Sequence, residues 1–241
     1  MLEVFDYMRE LNLVSVIFRL SLSMIVGGMV GIERWRKRRP AGMRTYMIVC
    51  IGSTLTMLTG QYISQMLDSV WAEAAQQIGA RSDISRLSAQ VINGIGFLGA
   101  GTILVTSRQQ VKGLTTAACL WASGCIGLAI GAGFYECVIL SVILVYICIH
   151  YMRNVEAFFV ENARNMNVYV EFKSMDDVKQ IIDCLKSNRA QIYEIELEHG
   201  NAKTMKNPNG IFTVRLEQRT RHSSILAEIS GLNNIHMVEE I

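Results

Sequence analysis

The sequence predicts an α-helical transmembrane bundle of about five helices, followed by a small α+β domain of ferredoxin-like βαββαβ order. Three observations carry this. Five apolar runs of membrane-spanning length fill the first 152 residues, charge returns after them, and strand and helix patterns alternate beyond residue 165. Residues 1–152 hold 12 basic and 8 acidic groups, against 11 and 13 in residues 153–241. The predicted division is therefore a transmembrane domain over 1–152, a linker over 153–165 and a soluble domain over 166–241.

A bilayer core of roughly 30 Å needs about 20 apolar residues in a helix. Runs at about 11–32, 45–67, 84–105, 114–131 and 134–152 meet that need. The first carries Arg19 as its one charge, the third Arg86 and the fifth Glu136. The tail before the first run holds Glu3, Asp6 and Glu10 against Arg9, the wrong sign for a signal peptide, so that run is read as a retained helix. Lys and Arg in short loops set orientation. The stretch from Glu33 to Pro40 with Arg44, and the loop with Arg108 and Lys112, are basic; the loop with Asp68, Glu73, Arg81 and Asp83 is not. This places the N-terminus outside and the C-terminal domain in the cytoplasm. The basic loop also suits anionic lipid headgroups.

Helices in lipid associate through close contact of small residues. Ser23, Gly27 and Gly31 form one stripe with a spacing of four, and Ser123, Gly127 and Gly131 form another. The third run reads NGIGFLGAG from Asn93 to Gly101. Its G-x-G-x-x-G pattern is not a dinucleotide fingerprint, because no strand precedes it and no acidic residue follows about 20 positions on. Two readings stay open: very close helix packing, or a broken helix whose freed backbone lines an ion or solute path.

An ionisable side chain in a membrane span is a candidate functional residue. Arg19 is expected to snorkel outward or to pair with Asp83 or Glu136, and Glu33 to pair with Arg44 or to help bind a divalent cation. One carboxylate is weak grounds for a metal site, since Mg²⁺ wants several oxygen ligands. Gln90 and Asn93 share a face of the third run, and their amides need partners in lipid.

Several classes are disfavoured. A net charge of +2 argues against a general nucleic-acid binder. The six cysteines form no C-x-x-C pair and read as reduced, buried thiols. No phosphate-binding loop, H-E-x-x-H or G-x-S-x-G is present, and the four histidines lack metal-ligand spacing, so no enzyme, cofactor or dedicated metal site is expected.

In the C-terminal part, Val168, Val170 and Phe172 alternate as a strand, and Ser174 with Asp177 caps a helix striped by Val178, Ile181, Ile182 and Leu185. Tyr193, Ile195 and Leu197 predict a second strand, residues 200–210 a loop, and Phe212, Val214 and Leu216 a third strand. Ile225, Leu226, Ile229 and Leu232 stripe a second helix, and 235–241 makes the last strand.

Three stretches resemble the MgtC/SapB family: GMVGIERWRKRRPAGMRT at 28–45, SRLSAQVINGIGFLGAGTI at 85–103 and KGLTTAACLW at 112–121. The likeness covers about residues 13–150. The C-terminal part is similar to the ACT-like domain of longer members. The resemblance implies a multi-pass bacterial inner-membrane protein linked to magnesium limitation and, in some members, to virulence. It implies regulation through membrane-protein partners, with the F-type ATP synthase among them, Mg²⁺ as a physiological signal and homo-oligomers as an option. A transporter or channel-like protein with the glycine-rich helix lining the path is the alternative. Motif positions carried over are Glu33, Arg34, Ala41, Gly42, Arg44 and Thr45; Arg86, Gln90, Gly94, Gly96, Gly99 and Gly101; and Gly113, Leu114, Thr116 and Ala117. Lys112, Thr115, Asp83 and Asn93 complete the candidates. Thr115 stands where the best-known virulence member has Asn. Phe172 is followed by Lys173 where ACT ligand-binding modules tend to place a glycine.

Overall fold

A computed structural model describes residues 7–37, 39, 41–106, 110–161, 163–199, 207–217 and 222–241. Glu3, Asp6, Arg38, Pro40, Arg108 and residues 200–206 of the expected loop lie outside the described residues. The chain divides into two units, Met1–His150 and Tyr151–Ile241.

The first unit is helical. Helix α1 (Leu13–Arg36) starts at Asn12, whose side chain accepts from the Ser15 amide at 2.8 Å. It is followed by α2 (Met43–Asp68), a short α3 (Ala72–Ile78) and α4 (Ile84–Ala100). A hairpin of β1 (Leu104–Val105) and β2 (Val111–Lys112) leads to α5 (Leu114–Ala132) and α6 (Tyr135–His150). Among the described residues, Leu13–Arg36, Met43–Asp68, Leu114–Ala132 and Tyr135–Val160 are long and apolar enough to cross a membrane.

The run expected as a span over 84–105 is corrected: the helix has 17 residues, ends at Ala100, and the β-branched Ile103 and Val105 go into the hairpin approach and strand. Yet α4 runs the depth of its neighbours. Ile84 and Leu87 lie over Gly60 in the C-terminal half of α2, Ile95 reaches Gly124 in mid-α5, and Gly99 lies over Ala117 near the start of α5. At 1.5 Å per residue it is about 25 Å long, close to a hydrocarbon core.

Side chains of the bundle sort as lipid demands. Ile17, Ile25, Ile48, Leu55, Ile139 and Leu144 are exposed, while Ser15, Ser23, Ser53, Thr54 and Ser123 are buried. An aliphatic exterior over a core of small polar residues is stable only with hydrocarbon around it.

The second unit opens with α7 (Met152–Glu161), so the stretch read as a linker is largely helical. Then come β3 (Asn165–Phe172), a 3₁₀ turn, α8 (Val178–Ser187), β4 (Ala190–Glu198), β5 (Asn209–Leu216), α9 (His222–Ser230) and β6 (Ile235–Glu240). The strand order β4-β5-β3-β6, antiparallel throughout, is the ferredoxin-like arrangement. Ser174 and Asp177 form the expected capping box. Val168, Val170, Phe172, Phe212 and Val214 bury one face of the sheet against Ile181, Leu185, Ile225 and Ile229.

Candidate functional site

The two glycine stripes, whose partners the sequence leaves open, both pack on α2. A Cβ at Gly27 would sit 2.7 Å from the Tyr46 carbonyl oxygen, and one at Gly31 would sit 2.6 Å from Met43 Cα. Further along the same stripe of α2, a Cβ at Gly127 would sit 2.5 Å from the Cys50 oxygen, and one at Gly131 would sit 2.6 Å from Met57 Cβ. Thr54 donates its hydroxyl to the Gly127 carbonyl at 2.8 Å, and Ser123 lies 3.4 Å from the Tyr46 oxygen. Thus α2 is clasped backbone to backbone by α1 and α5.

At the far end from the basic loop, Arg19 is fully buried. All five of its N–H groups are taken. Nε donates to the Tyr135 hydroxyl (3.2 Å); Nη1 to Gln61 Oε1 (3.0 Å) and the Gly131 carbonyl (2.8 Å); Nη2 to the carbonyls of Met8 (2.9 Å) and Arg9 (2.7 Å). Gly131 lies in the last turn of α5, where carbonyls lack helical partners and the dipole favours a cation. Gly133, at φ 77, closes the α5–α6 turn, with the guanidinium 3.2 Å from where a Cβ would stand. Arg19 therefore joins α1, α2, α5, α6 and the preceding segment with one planar group.

The expected ion pairs of Arg19 are corrected. Glu136 pairs with Arg9, and Asp83 caps α4 by accepting from the Arg86 amide at 3.1 Å. The Ser85 hydroxyl and the Arg86 amide hold the Asp83 carboxyl below its ordinary range. Arg86 reaches back to Asp83 at 3.5 Å and is exposed. Five neutral dipoles take the place of a counter-ion for Arg19. Gln61 and Tyr135 escaped the sequence reading, although each is a hydrogen-bonding group at the edge of an apolar run.

At the basic end, Glu33 pairs with Lys37 one turn on, not with Arg44, which is exposed. The i,i+4 spacing makes the nearer ammonium the cheaper partner. Glu33 Oε2 and Arg34 Nε are buried without partners among the described residues. Arg34 donates to Cys119 Sγ at 3.5 Å, and the Tyr46 hydroxyl donates to the Thr116 carbonyl at 3.1 Å. Val30, Ala41, Tyr46 and Cys119 pack together there. Thr45, Lys112 and Thr115 are exposed. Gly113, at φ 101, joins the hairpin to α5, and a Cβ there would overlap the Thr102 carbonyl at 2.0 Å. Among the described residues no group of three His, Cys, Asp or Glu side chains converges as a metal site. All six cysteines are free; Cys50 and Cys119 are buried, whereas Cys148 is exposed, which corrects the reading of all six as buried.

Helix α4 is unbroken and faces the bundle along Ile84, Leu87, Ser88, Val91, Ile95 and Gly99. Gln90, Asn93, Gly94, Phe97 and Gly101 fall on its exposed side, and nothing lies within 4 Å of a Cβ placed at Gly94 or Gly96. Among these glycines the close packing is met within the chain only at Gly99, where an added Cβ would stand 3.4 Å from Ala117.

Residues 20–158 match the MgtC family. The chain is 33% identical to an uncharacterized protein of Haemophilus influenzae over 75% of its own length and 74% of that protein. It is 41% identical to an Escherichia coli K12 protein named "Putative magnesium transporter YhiD" over 50% of this chain and 52% of that one. It is also 30% identical to protein SapB of Bacillus subtilis over 57% and 56% of the two lengths. Among solved structures, the ACT domain from GTP pyrophosphokinase of Chlorobium tepidum aligns with 32% of this chain and 96% of that domain, at 13% identity and a TM-score of 0.26.

Proposed function

The chain belongs to the MgtC family, and on that premise we propose that it is a regulatory protein of Mg²⁺ and energy homeostasis that acts by binding another membrane protein. It resides in the bacterial inner membrane as a non-enzymatic, multi-pass protein. The Lys/Arg bias puts the basic loop and the C-terminal domain in the cytoplasm and the N-terminus outside.

One observation carries this reading. The helix with amides at mid-depth, α4, turns Gln90 and Asn93 outward, away from Ile95 and Gly99 that face the bundle. An ion path within one chain needs such groups on an inner wall. Amides facing hydrocarbon cost free energy until a neighbouring helix supplies donors and acceptors. Gly94 and Gly96 beside them let a partner's backbone approach closely. The F-type ATP synthase, suggested by the family, is one partner to test.

Photo-crosslinking from position 97 in cells starved of Mg²⁺ tests the proposal. The expected result is a discrete adduct with another membrane protein, absent when Gly94 is replaced by Ile at unchanged protein level. Adducts no different from those formed at the lipid-facing position 140 would sink it.

The name carried by the E. coli relative favours a second reading, transport of Mg²⁺. Flux of Mg²⁺ into liposomes containing only this protein would establish that reading over regulation; absence of flux of Mg²⁺, Na⁺, K⁺ and protons removes it for those ions.

A further inference from the structure

A groove of about 590 Å³ opens between α1 and α6 at the basic end of the bundle. Its walls are mainly aliphatic: Met29, Val30 and Ile32 on one side, and Val142, Ile143, Val145, Ile147 and Ile149 around Tyr146 on the other. Its polar residues gather at one end. Glu33 and Arg36 lie in the last turn of α1, and His150, the last residue of α6, is stacked on Tyr146 at 4.6 Å. This volume is within the roughly 300–1,000 Å³ of sites that hold small molecules.

The polar end has a definite chemistry. Arg36 makes no ion pair among the described residues and lines the groove. The Glu33 side chain is 12% exposed; Lys37 takes Oε1, and among the described residues no donor stands against the buried Oε2. A buried carboxylate oxygen without a donor is costly, so a partner that brings an N–H there gains more than a surface hydrogen bond would. The occupant must therefore offer an anion to Arg36, a charged N–H to Glu33 a turn away, and a long apolar tail to the walls.

We propose that the groove is a phospholipid site selective for phosphatidylethanolamine. One acyl chain lies along the aliphatic walls, the phosphate meets Arg36, and the ammonium donates to the free oxygen of Glu33. Phosphatidylcholine has the same phosphate and tails, but its quaternary nitrogen has no N–H to give. Phosphatidylglycerol offers hydroxyls and a net negative charge beside a carboxylate. The aliphatic fit alone accepts all three, so the selectivity resides in Glu33.

Native mass spectrometry of the full-length protein, released from bilayers of equal phosphatidylethanolamine, phosphatidylglycerol and phosphatidylcholine, tests this. The expected result is one retained lipid, with phosphatidylethanolamine enriched at least fivefold over phosphatidylcholine. Met29→Trp and Ile143→Trp fill the groove from opposite walls at positions that are half exposed, so both fold, and each removes the retained lipid. Leu140→Trp, exposed but outside the groove, keeps it. Glu33→Gln keeps a lipid but brings the enrichment close to one. Equal retention of the three lipids by the unaltered protein, preference for phosphatidylglycerol, or undiminished retention in both tryptophan variants each overturns the proposal.

Discussion

Alanine at Gly127 and alanine at Gly94 are the same chemical change on two membrane helices, and the structure predicts opposite outcomes. At Gly127 the new methyl would lie 2.5 Å from the Cys50 oxygen and 2.9 Å from Ser53 Cβ, both on α2. Ordinary contact begins near 3.4 Å, so α5 must retreat by close to 1 Å along this seam. Overpacking of this kind costs about 1–3 kcal/mol. The retreat also stretches the 2.8 Å bond from the Thr54 hydroxyl to the Gly127 carbonyl, worth about 0.6 kcal/mol between membrane helices. Against this stands a helix-propensity gain of up to about 1 kcal/mol. The expected balance is a loss of roughly 1–2.5 kcal/mol. At Gly94 nothing lies within 4 Å of the new methyl, so only the gain of up to about 1 kcal/mol remains. Equilibrium unfolding in mixed micelles resolves a separation of this size. A Gly127→Ala variant as stable as the parent, or a Gly94→Ala variant as weak as Gly127→Ala, refutes the assignment of the clasp to α2.

Arg19→Lys keeps the charge but replaces five fixed donors with three, leaving at least two of the Gln61, Gly131, Tyr135, Met8 and Arg9 acceptors bare; a loss of about 2 kcal/mol or more is expected in the same assay, and a loss under 0.5 kcal/mol contradicts the hub. Gly113→Ala must adopt φ 101 and displace the Thr102 carbonyl, so maleimide labelling of a cysteine placed at Val111 should rise as the hairpin loosens; unchanged labelling counts against the strained junction. His222→Phe severs buried contacts to Glu240 (2.6 Å) and the Ala163 carbonyl (2.9 Å), so amide exchange in β6 should quicken at least tenfold, about 1.4 kcal/mol; exchange at the parent rate shows that the ring is not what ties β6 down.

How much of this was legible beforehand depended on range. The capping box at Ser174 and Asp177, the stripe Val178–Ile181–Ile182–Leu185, and the alternation at Val168–Val170–Phe172 involve neighbours within a few residues, and each stands in the structure. The end of α4 was misjudged because residues 101–105 are as apolar as the helix before them, and hydropathy does not separate a helix from a β-hairpin. The candidates Glu33, Arg34 and Arg19 were visible as charges, but not their surroundings.

What the chain determined by itself was solvent and periodicity: which stretches require hydrocarbon, which small residues repeat every fourth position, and in what order strands and helices follow in the C-terminal unit. Those properties are sums over adjacent residues, so a linear string contains them. The tertiary structure alone decided partnership. It brought Arg19 onto Gln61, Gly131 and Tyr135, 42, 112 and 116 positions away, set both glycine stripes on α2, and turned the amides of α4 outward. Several acceptors would have suited each donor at similar free energy. The choice among them follows from how backbones pack in three dimensions, which local pattern does not contain.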